Sequence, residues 1–446
     1  MAQLLHMVAK LHAMIPHFLK VTFRQLRKHL LISLLNISGL AIGIACFVLI
    51  MLYVNHELNY DRYNEHFDDI YRIAVHAQFA NTSIRQTGTP APMPVAMYDE
   101  YPEVKAVARI ADWVQTVRIG DLVYNEEKAA AVDSSFAEIF TMKFLEGSSS
   151  GVLNAPGQVL LDRTTAKKYF GDDPAYGRVI YIQDTLPLTV TGVFEDFPAQ
   201  SHFHFNVLIS LLSLEGEYNN PAWFANNFET YIRLEPGFPA GQLEAKLPAF
   251  VDKYLFEGNY AEIADADNYW ELSLQHIRDI HLGSDLHGEF EPNVNLSYIR
   301  IFTLVALLLL LVACVNFMNL TTASSSVRAR EVGVRKTNGA SRKKLQRQFF
   351  FEAVLVSLLS MILAMVLVES VMGPYQALTG RDIQLAYLDH FLVVPGLLAL
   401  AVLVGILSGC YPAIYMSSFS AIDALGFKGV RPSRSWFRNV LVLFQF

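Results

Sequence analysis

The chain has 446 residues, of which 52% are apolar and only 17% charged. Soluble domains carry about 25% charged residues, so composition weighs against an ordinary soluble enzyme. A net charge of −7 gives no reason to expect a nucleic-acid partner, and three cysteines form neither a disulfide framework nor a zinc spacing.

The average hides a segregation of charge. Residues 1–54 hold five Lys/Arg and no acid, residues 55–298 carry a net −20, and residues 299–446 carry a net +8. An acidic block between two basic ones points to different compartments.

Residues 1–29 read as a basic cytoplasmic segment with an amphipathic helix over 3–29 lying on the membrane. Leu4, Leu5, Val8, Leu11, Ile15, Phe18 and Leu19 form its apolar face. A span over 30–55 follows, uncharged from Leu30 to Asn55, with small residues such as Gly39 and Gly43 that allow close helix approach. No A-x-A site ends this run, so it is not read as a secretory signal.

Residues 56–298 read as an external α+β domain, with room for two lobes. Leu186 to Phe197 alternates as a strand into a turn, Thr230 to Gly237 reads as a strand ending at a Pro-Gly turn, Trp270 to Leu282 alternates in part as a strand, and 239–256 is helical. Asp133-Ser134-Ser135 and Asp162-Arg163-Thr164-Thr165 stand as N-cap signals before apolar runs. His202, His204, Asp279, His281, Asp285 and His287 fit no metal motif and read as solvated loop residues.

A second span is expected over 299–323. A basic segment, 324–348, then leads to a third span over 349–373, closed by Pro374, and a fourth over 390–415. The first 29 residues, the 324–348 segment and the 416–438 linker hold most of the flanking Lys/Arg. Four spans put all three on the cytoplasmic side and the acidic block outside. Residues 439–446 read as the start of a fifth span, so either the helix ends as a stub or, the favoured expectation, the chain is the N-terminal part of a longer protein.

No G-x-x-x-x-G-K-[ST] loop, G-x-S-x-G elbow or H-E-x-x-H helix occurs, so no catalytic, cofactor-binding or metal residues are assigned. Ser341 to Lys344 matches S-x-x-K but lies in a basic loop. The 324–348 segment is the most specific in the chain. Val327, Val332 and Val334 offer apolar anchors. Asn338-Gly339 supplies a left-handed turn, and Ser341 caps a following helix. Its bland alternative is a solvated loop held by anionic lipid.

SSSVRAREVGVRKTNGASRKKLQRQF (Ser324 to Phe349) resembles the intracellular loop of FtsX-like, MacB-like permeases of ABC transporters. Leu34 to Ile73 is similar to the first span and exit of that family, and Ser408 to Leu425 to the segment after its fourth span. Asn439 to Phe446 is similar to a fifth span in members with two permease modules, and the external block resembles the MacB-like periplasmic core domain more loosely.

The resemblance implies a bacterial inner-membrane protein without ATPase motifs of its own. A separate cytoplasmic ABC ATPase would drive it, and a second permease module or copy would complete it. Stalk-like extensions of the first two spans, near 55–65 and 290–300, would carry motion to the periplasmic domain. It further implies contact with membrane lipid and leaves room for a periplasmic or outer-membrane partner. The family's ATPase-coupling contacts map onto Arg330, Glu331, Gly333, Arg335, Lys336, Gly339 and Ala340. The alternative is a regulator or sensor of the same fold, controlling a cell-envelope hydrolase or detecting antimicrobial peptides.

Overall fold

The computed structural model describes residues 30–79, 82–113, 115–214, 221–265, 268–385 and 392–418, together with residues 22, 24, 27 and 28. The expected amphipathic helix, nearly all of the 416–438 linker and the start of a fifth span lie outside those residues. The chain divides into two compact units: Met1–Asn55 with Ile299–Phe446, and His56–Tyr298 between them.

In the first unit, four helices are long and apolar enough to cross a membrane: Leu30–Leu58, Leu296–Ala323, Arg342–Thr379 and Val393–Ser417. At about 1.5 Å per residue, even the shortest of them exceeds a hydrocarbon core of about 30 Å. Lipid offers no hydrophobic drive for helices to associate, so close packing must come from shape. Small residues provide it here. A Cβ at Gly43 would lie 2.3 Å from the Ala313 Cβ, which marks where the first and second long helices touch. On the fourth, Gly405 and Gly409 are four residues apart and face the third. A Cβ at either would come within 2.6 Å of Val354 Cα or Ala353 Cβ. Between these two helices the Ser357 hydroxyl donates to the Ala401 carbonyl at 2.7 Å.

Pro374 does not close the third helix. The helix runs through it to Thr379 and stops at Gly380, which adopts φ 65°. A proline removes one N–H but does not forbid continuation when the next turn is held in place. Here Tyr375 donates its hydroxyl to the Leu49 carbonyl at 2.9 Å, and Thr379 Oγ1 donates back to the Tyr375 carbonyl. The left-handed glycine is the true stop.

The inserted unit is built on one sheet. Its strands are β1 (Ile70–Phe79), β2 (Thr82–Gln86), β3 (Gly88–Pro90), β4 (Val104–Asp112), β5 (Gln115–Ile119), β6 (Leu122–Glu126) and β7 (Ala129–Val132). They continue with β8 (Phe144–Gly147), β9 (Gln158–Asp162), β10 (Val179–Ile182), β11 (Leu186–Phe194), β12 (Val207–Ser210), β13 (Asn226–Leu234) and β14 (Asn268–His276). The order is β14-β1-β13-β4-β7-β12-β9-β11-β10-β5-β6, with β2, β3 and β8 added at the side. The β7–β12 and β9–β11 pairs are parallel, and the other pairs are antiparallel.

The central strand β7 is apolar and buried at every position because both its faces are covered. In β7, Ala130 and Val132 join a core with Phe136, Phe140, Phe194 and Phe203, while Ala129 turns to a second core with Val159, Leu161 and Ile209. A third core, around Met97, Phe250 and Trp270, lies at the β14 end. Helices Ala240–Glu244 and Leu247–Leu255 occupy the stretch expected to be helical.

The β14 edge is closed by side chains. The Trp270 amide donates to the Tyr260 hydroxyl at 2.9 Å, and the Leu274 amide to Glu244 Oε1 at 3.2 Å. Of the two expected caps, Asp162 works, accepting from the Thr165 amide at 2.7 Å. The other does not. Ser135 donates its hydroxyl to the Val107 carbonyl, and Asp133 is engaged by the Arg109 guanidinium at 2.8 and 2.9 Å.

The glycine contacts predict a directional result. Gly405→Leu would force a side chain against the Val354 backbone, with an expected loss of about 1–3 kcal/mol typical of overpacking. A Cβ at Gly396 would meet nothing within 4 Å, so Gly396→Leu should unfold close to wild type. Thermal unfolding of both variants in the same detergent checks this, and equal midpoints would show that the third and fourth helices do not meet at Gly405.

Candidate functional site

The corner between the second and third long helices is set by backbone chemistry. Helix Ser325–Thr337 ends with Asn338 as its cap, followed by Gly339 at φ 85°. The Gly339 amide donates to the Lys336 carbonyl and the Ala340 amide to the Arg335 carbonyl, both at 3.0 Å. This is a Schellman motif, in which the residue after the cap must be left-handed. No atom would crowd a Cβ at Gly339, so the glycine is required for its φ and not for clearance. Ser341 then caps Arg342–Thr379, its hydroxyl accepting from the Lys344 amide at 3.4 Å.

Apolar residues lock the corner from within. Ala329, Val332 and Leu345 are buried, and so is Gly333. Val334, expected as an anchor, points outward and is 46% exposed. Successive residues of a helix are about 100° apart, so Val332 and Val334, two positions apart, cannot share one face. The Val327 and Arg330 side chains lie outside the described residues.

The charged residues of the corner are mostly engaged. Arg335 pairs with Glu331 at 2.6 Å, four residues back, and donates to Gln348 Oε1 on the third long helix at 2.5 Å. Lys336 Nζ donates to the Ser417 carbonyl at 2.9 Å, and so caps the C-terminal end of the fourth long helix with a cation. The exposed surface is therefore the turn itself, Thr337 to Gly339, with Ser341, Arg342, Lys343, Lys344 and Arg347 beyond it. A cavity of about 50 Å³ in the same unit is lined in part by Asn36, Thr321, Ser324, Glu352 and Gly409.

A second polar cluster lies in the inserted unit, and local spacing gave no sign of it. Arg72 on β1 has no exposed surface. It donates to both carboxylate oxygens of Glu289 at 2.7 Å, to Gln275 Oε1 at 2.7 Å, and to Glu229 Oε2 on β13 at 3.3 Å. Tyr231 donates its hydroxyl to Glu229 Oε2 at 2.9 Å, His202 Nε2 meets that hydroxyl at 2.8 Å, and His202 Nδ1 meets Asp61 Oδ1 at 2.8 Å. Burial opposes the charge on both glutamates. It pushes the Glu229 carboxyl above its ordinary value despite Arg72. For Glu289 the bidentate guanidinium and Ser284 outweigh burial and hold the carboxyl low. Burial and the neighbouring Glu229 push the Tyr231 hydroxyl far up.

The histidines read as solvated from sequence include two that are buried. His202 belongs to the chain just described. His281 is stacked on Tyr60 with ring centroids 3.4 Å apart, and its Nε2 meets Glu57 Oε2 at 2.5 Å. His204 Nδ1 meets Glu291 Oε1 at 2.8 Å, Asp285 accepts from exposed Arg85, and the His287 carbonyl accepts from the Thr87 amide. Asp279 lies 3.6 Å from Arg278 on the surface. Each carboxylate lies far from its histidine in sequence, so no motif scan pairs them. The one local hint was a charge inside an apolar strand: Arg72 in IYRIAV and Glu229 in NNFETYI.

Two stretches of the chain match known families. Residues 33–250 match the MacB-like periplasmic core domain family, and residues 303–421 match the FtsX-like permease C-terminal family. The macrolide export ATP-binding/permease protein MacB of Shewanella sp. (strain W3-18-1) is 25% identical over 336 residues, 73% of this chain and 47% of that protein. MacB of Escherichia coli (strain K12) is 26% identical over 321 residues, 68% of this chain and 44% of that protein. The chain thus spans about half the length of the curated relatives it matches. The solved periplasmic region of MacB from Actinobacillus actinomycetemcomitans is 12% identical, with a TM-score of 0.35, over 47% of this chain and 90% of that one. Four apolar helices, an α+β domain inserted between the first two and the two family matches make this chain a multi-pass inner-membrane protein, a member of the MacB/FtsX-like permeases of ABC transporters.

Proposed function

We propose that the chain is the permease part of an ABC transporter and transmits the motion of a separate cytoplasmic ATPase to a periplasmic domain. The observation that carries this reading is the locked corner at Asn338 to Ser341. A Schellman turn, a serine cap and the Lys336 bond to the Ser417 carbonyl join the ends of three long helices to one exposed knob. A push on that knob reaches all three together.

Within the reading, the seven residues have different duties. Gly339 and Ala340 hold the turn. Lys336 holds the fourth long helix, and Glu331 with Arg335 holds the third. Gly333 lets the short helix pack closely, and Arg330 lies on the same helix. The partner itself meets the basic, exposed rim of Arg342, Lys343 and Lys344, which suits an acidic patch on the ATPase. The N-terminus is cytoplasmic and the inserted domain periplasmic, as the Lys/Arg bias requires. Handling of exported, lipoprotein or peptide cargo follows from the family, and the curated relatives are named for macrolide export.

Two outcomes test this. Glu331→Lys places a second cation beside Arg335 and frees it from its partner. ATPase stimulation by the permease should fall severalfold, while the unfolding midpoint changes little, since an exposed pair contributes at most about 1 kcal/mol. Unchanged stimulation would remove Glu331 from the coupling path. For topology, Ser150→Cys and Ala340→Cys are made in a background lacking Cys46, Cys314 and Cys410. Cysteine 150 should react with an impermeant maleimide in intact spheroplasts, and cysteine 340 only after lysis. The reverse pattern would invert the orientation.

A further inference from the structure

The hydrogen-bond chain Asp61–His202–Tyr231–Glu229 can be counted proton by proton. It has three links, at 2.8, 2.8 and 2.9 Å, and all four residues are buried. Its two ends are carboxylates, which accept only when ionised. Three links therefore need three protons from the two residues between them. A neutral histidine brings one and a tyrosine brings one. With only those two, one link sets lone pair against lone pair at hydrogen-bond distance, buried where water cannot relieve it.

One additional proton completes the chain in any of three ways. Asp61 is protonated and donates to His202 Nδ1, His202 Nε2 donates to the Tyr231 oxygen, and Tyr231 donates to Glu229. Or His202 carries both ring protons and donates to Asp61 and to the Tyr231 oxygen, while Tyr231 donates to Glu229. Or Glu229 is protonated and donates to the Tyr231 oxygen, Tyr231 donates to His202 Nε2, and His202 Nδ1 donates to Asp61. The forms interconvert by moving protons along existing bonds, and the total charge is the same in all three. We infer that the folded domain binds one proton at this hydrogen-bond chain beyond the ordinary neutral-pH charges of its residues.

The surroundings favour it. The charged groups that face the chain are Arg72 from β1 and Glu289 from the segment after β14. Tyr63, held near Asp61, is kept neutral by burial. Phe140 and Phe203 cover His202 with their rings. Three carboxylates thus stand against one guanidinium, and a bound proton halves the excess. Burial also raises Glu229 on its own account. The location gives the proton a task. Asp61 is three residues past the end of the Leu30–Leu58 helix, and Glu289 is seven before the start of Leu296–Ala323. The proton therefore helps to fasten both connections of the domain to β1 and β13, which makes that fastening sensitive to pH outside the membrane.

The sign is definite. An unfolded chain releases its histidine protons near pH 6.5 and its carboxyl protons near pH 4. Above about pH 6.5 the folded state then holds one proton more than the unfolded state, and stability falls as pH rises until the chain releases it. The full-length protein in detergent should show an unfolding constant that grows about tenfold per pH unit over that window. Tyr231→Phe removes the middle link and the need for the third proton, so its unfolding constant should lose that tenfold dependence. If Tyr231→Phe does not fold, His202→Leu serves, since it removes two of the three links and with them the need for the added proton. A flat profile in either variant supports the inference. The wild-type slope retained in a folded variant overturns it, and so does a wild-type profile that is already flat.

Discussion

A guanidinium with no exposed surface is tolerated only where the charges around it are fixed, and Arg72 imposes that condition on the inserted domain. Its partners are four residues in two stretches far from it in sequence: Glu229 on β13, and Gln275 on β14 with Ser284 and Glu289 beyond it. Without its two glutamates the guanidinium would be a buried, unpaired charge, so these stretches are positioned jointly. Tyr231 and His202 extend the same constraint to Asp61. The sheet order β14-β1-β13 is the order that brings these groups together.

The membrane unit obeys a different rule. Its helices touch where side chains are smallest, at Gly43 with Ala313 and at Gly405 and Gly409 with Val354 and Ala353. Among the described residues, three polar bonds between helices end on main-chain carbonyls: Ser357 to Ala401, Tyr375 to Leu49 and Lys336 to Ser417. Such contacts tolerate small sliding better than a charge network does. The inserted domain is made to hold its shape, and the helices are made to pack closely through their small residues.

Legibility in the sequence followed the range of each interaction. Apolar runs of membrane length, broken only by Glu352 and Glu369 near the ends of the third, revealed the four long helices, because each signal lies within its own segment. The same holds for the turn at Gly339, the caps at Ser341 and Asp162, and the alternation in β11. Errors arose where distant residues decide. Pro374 looked terminal until Tyr375 proved to be anchored to Leu49, and Ser135 looked like a cap until its hydroxyl was found on Val107. His202 and His281 looked solvated because Asp61 and Glu57 are 141 and 224 residues away. Glu331, Arg335 and Lys336 could be named from a resemblance, but not that their charges point into the fold.

The closed edge of β14 has a consequence for growth. With the Trp270 and Leu274 amides already committed to Tyr260 and Glu244, this end of the sheet refuses further strands from crowded neighbours. At the opposite end, β6 carries Leu122 and Val123 in the open and pairs on one side only. The two ends of the main strand order are therefore unlike: main-chain pairing from outside is open at β6, farthest in that order from the buried arginine.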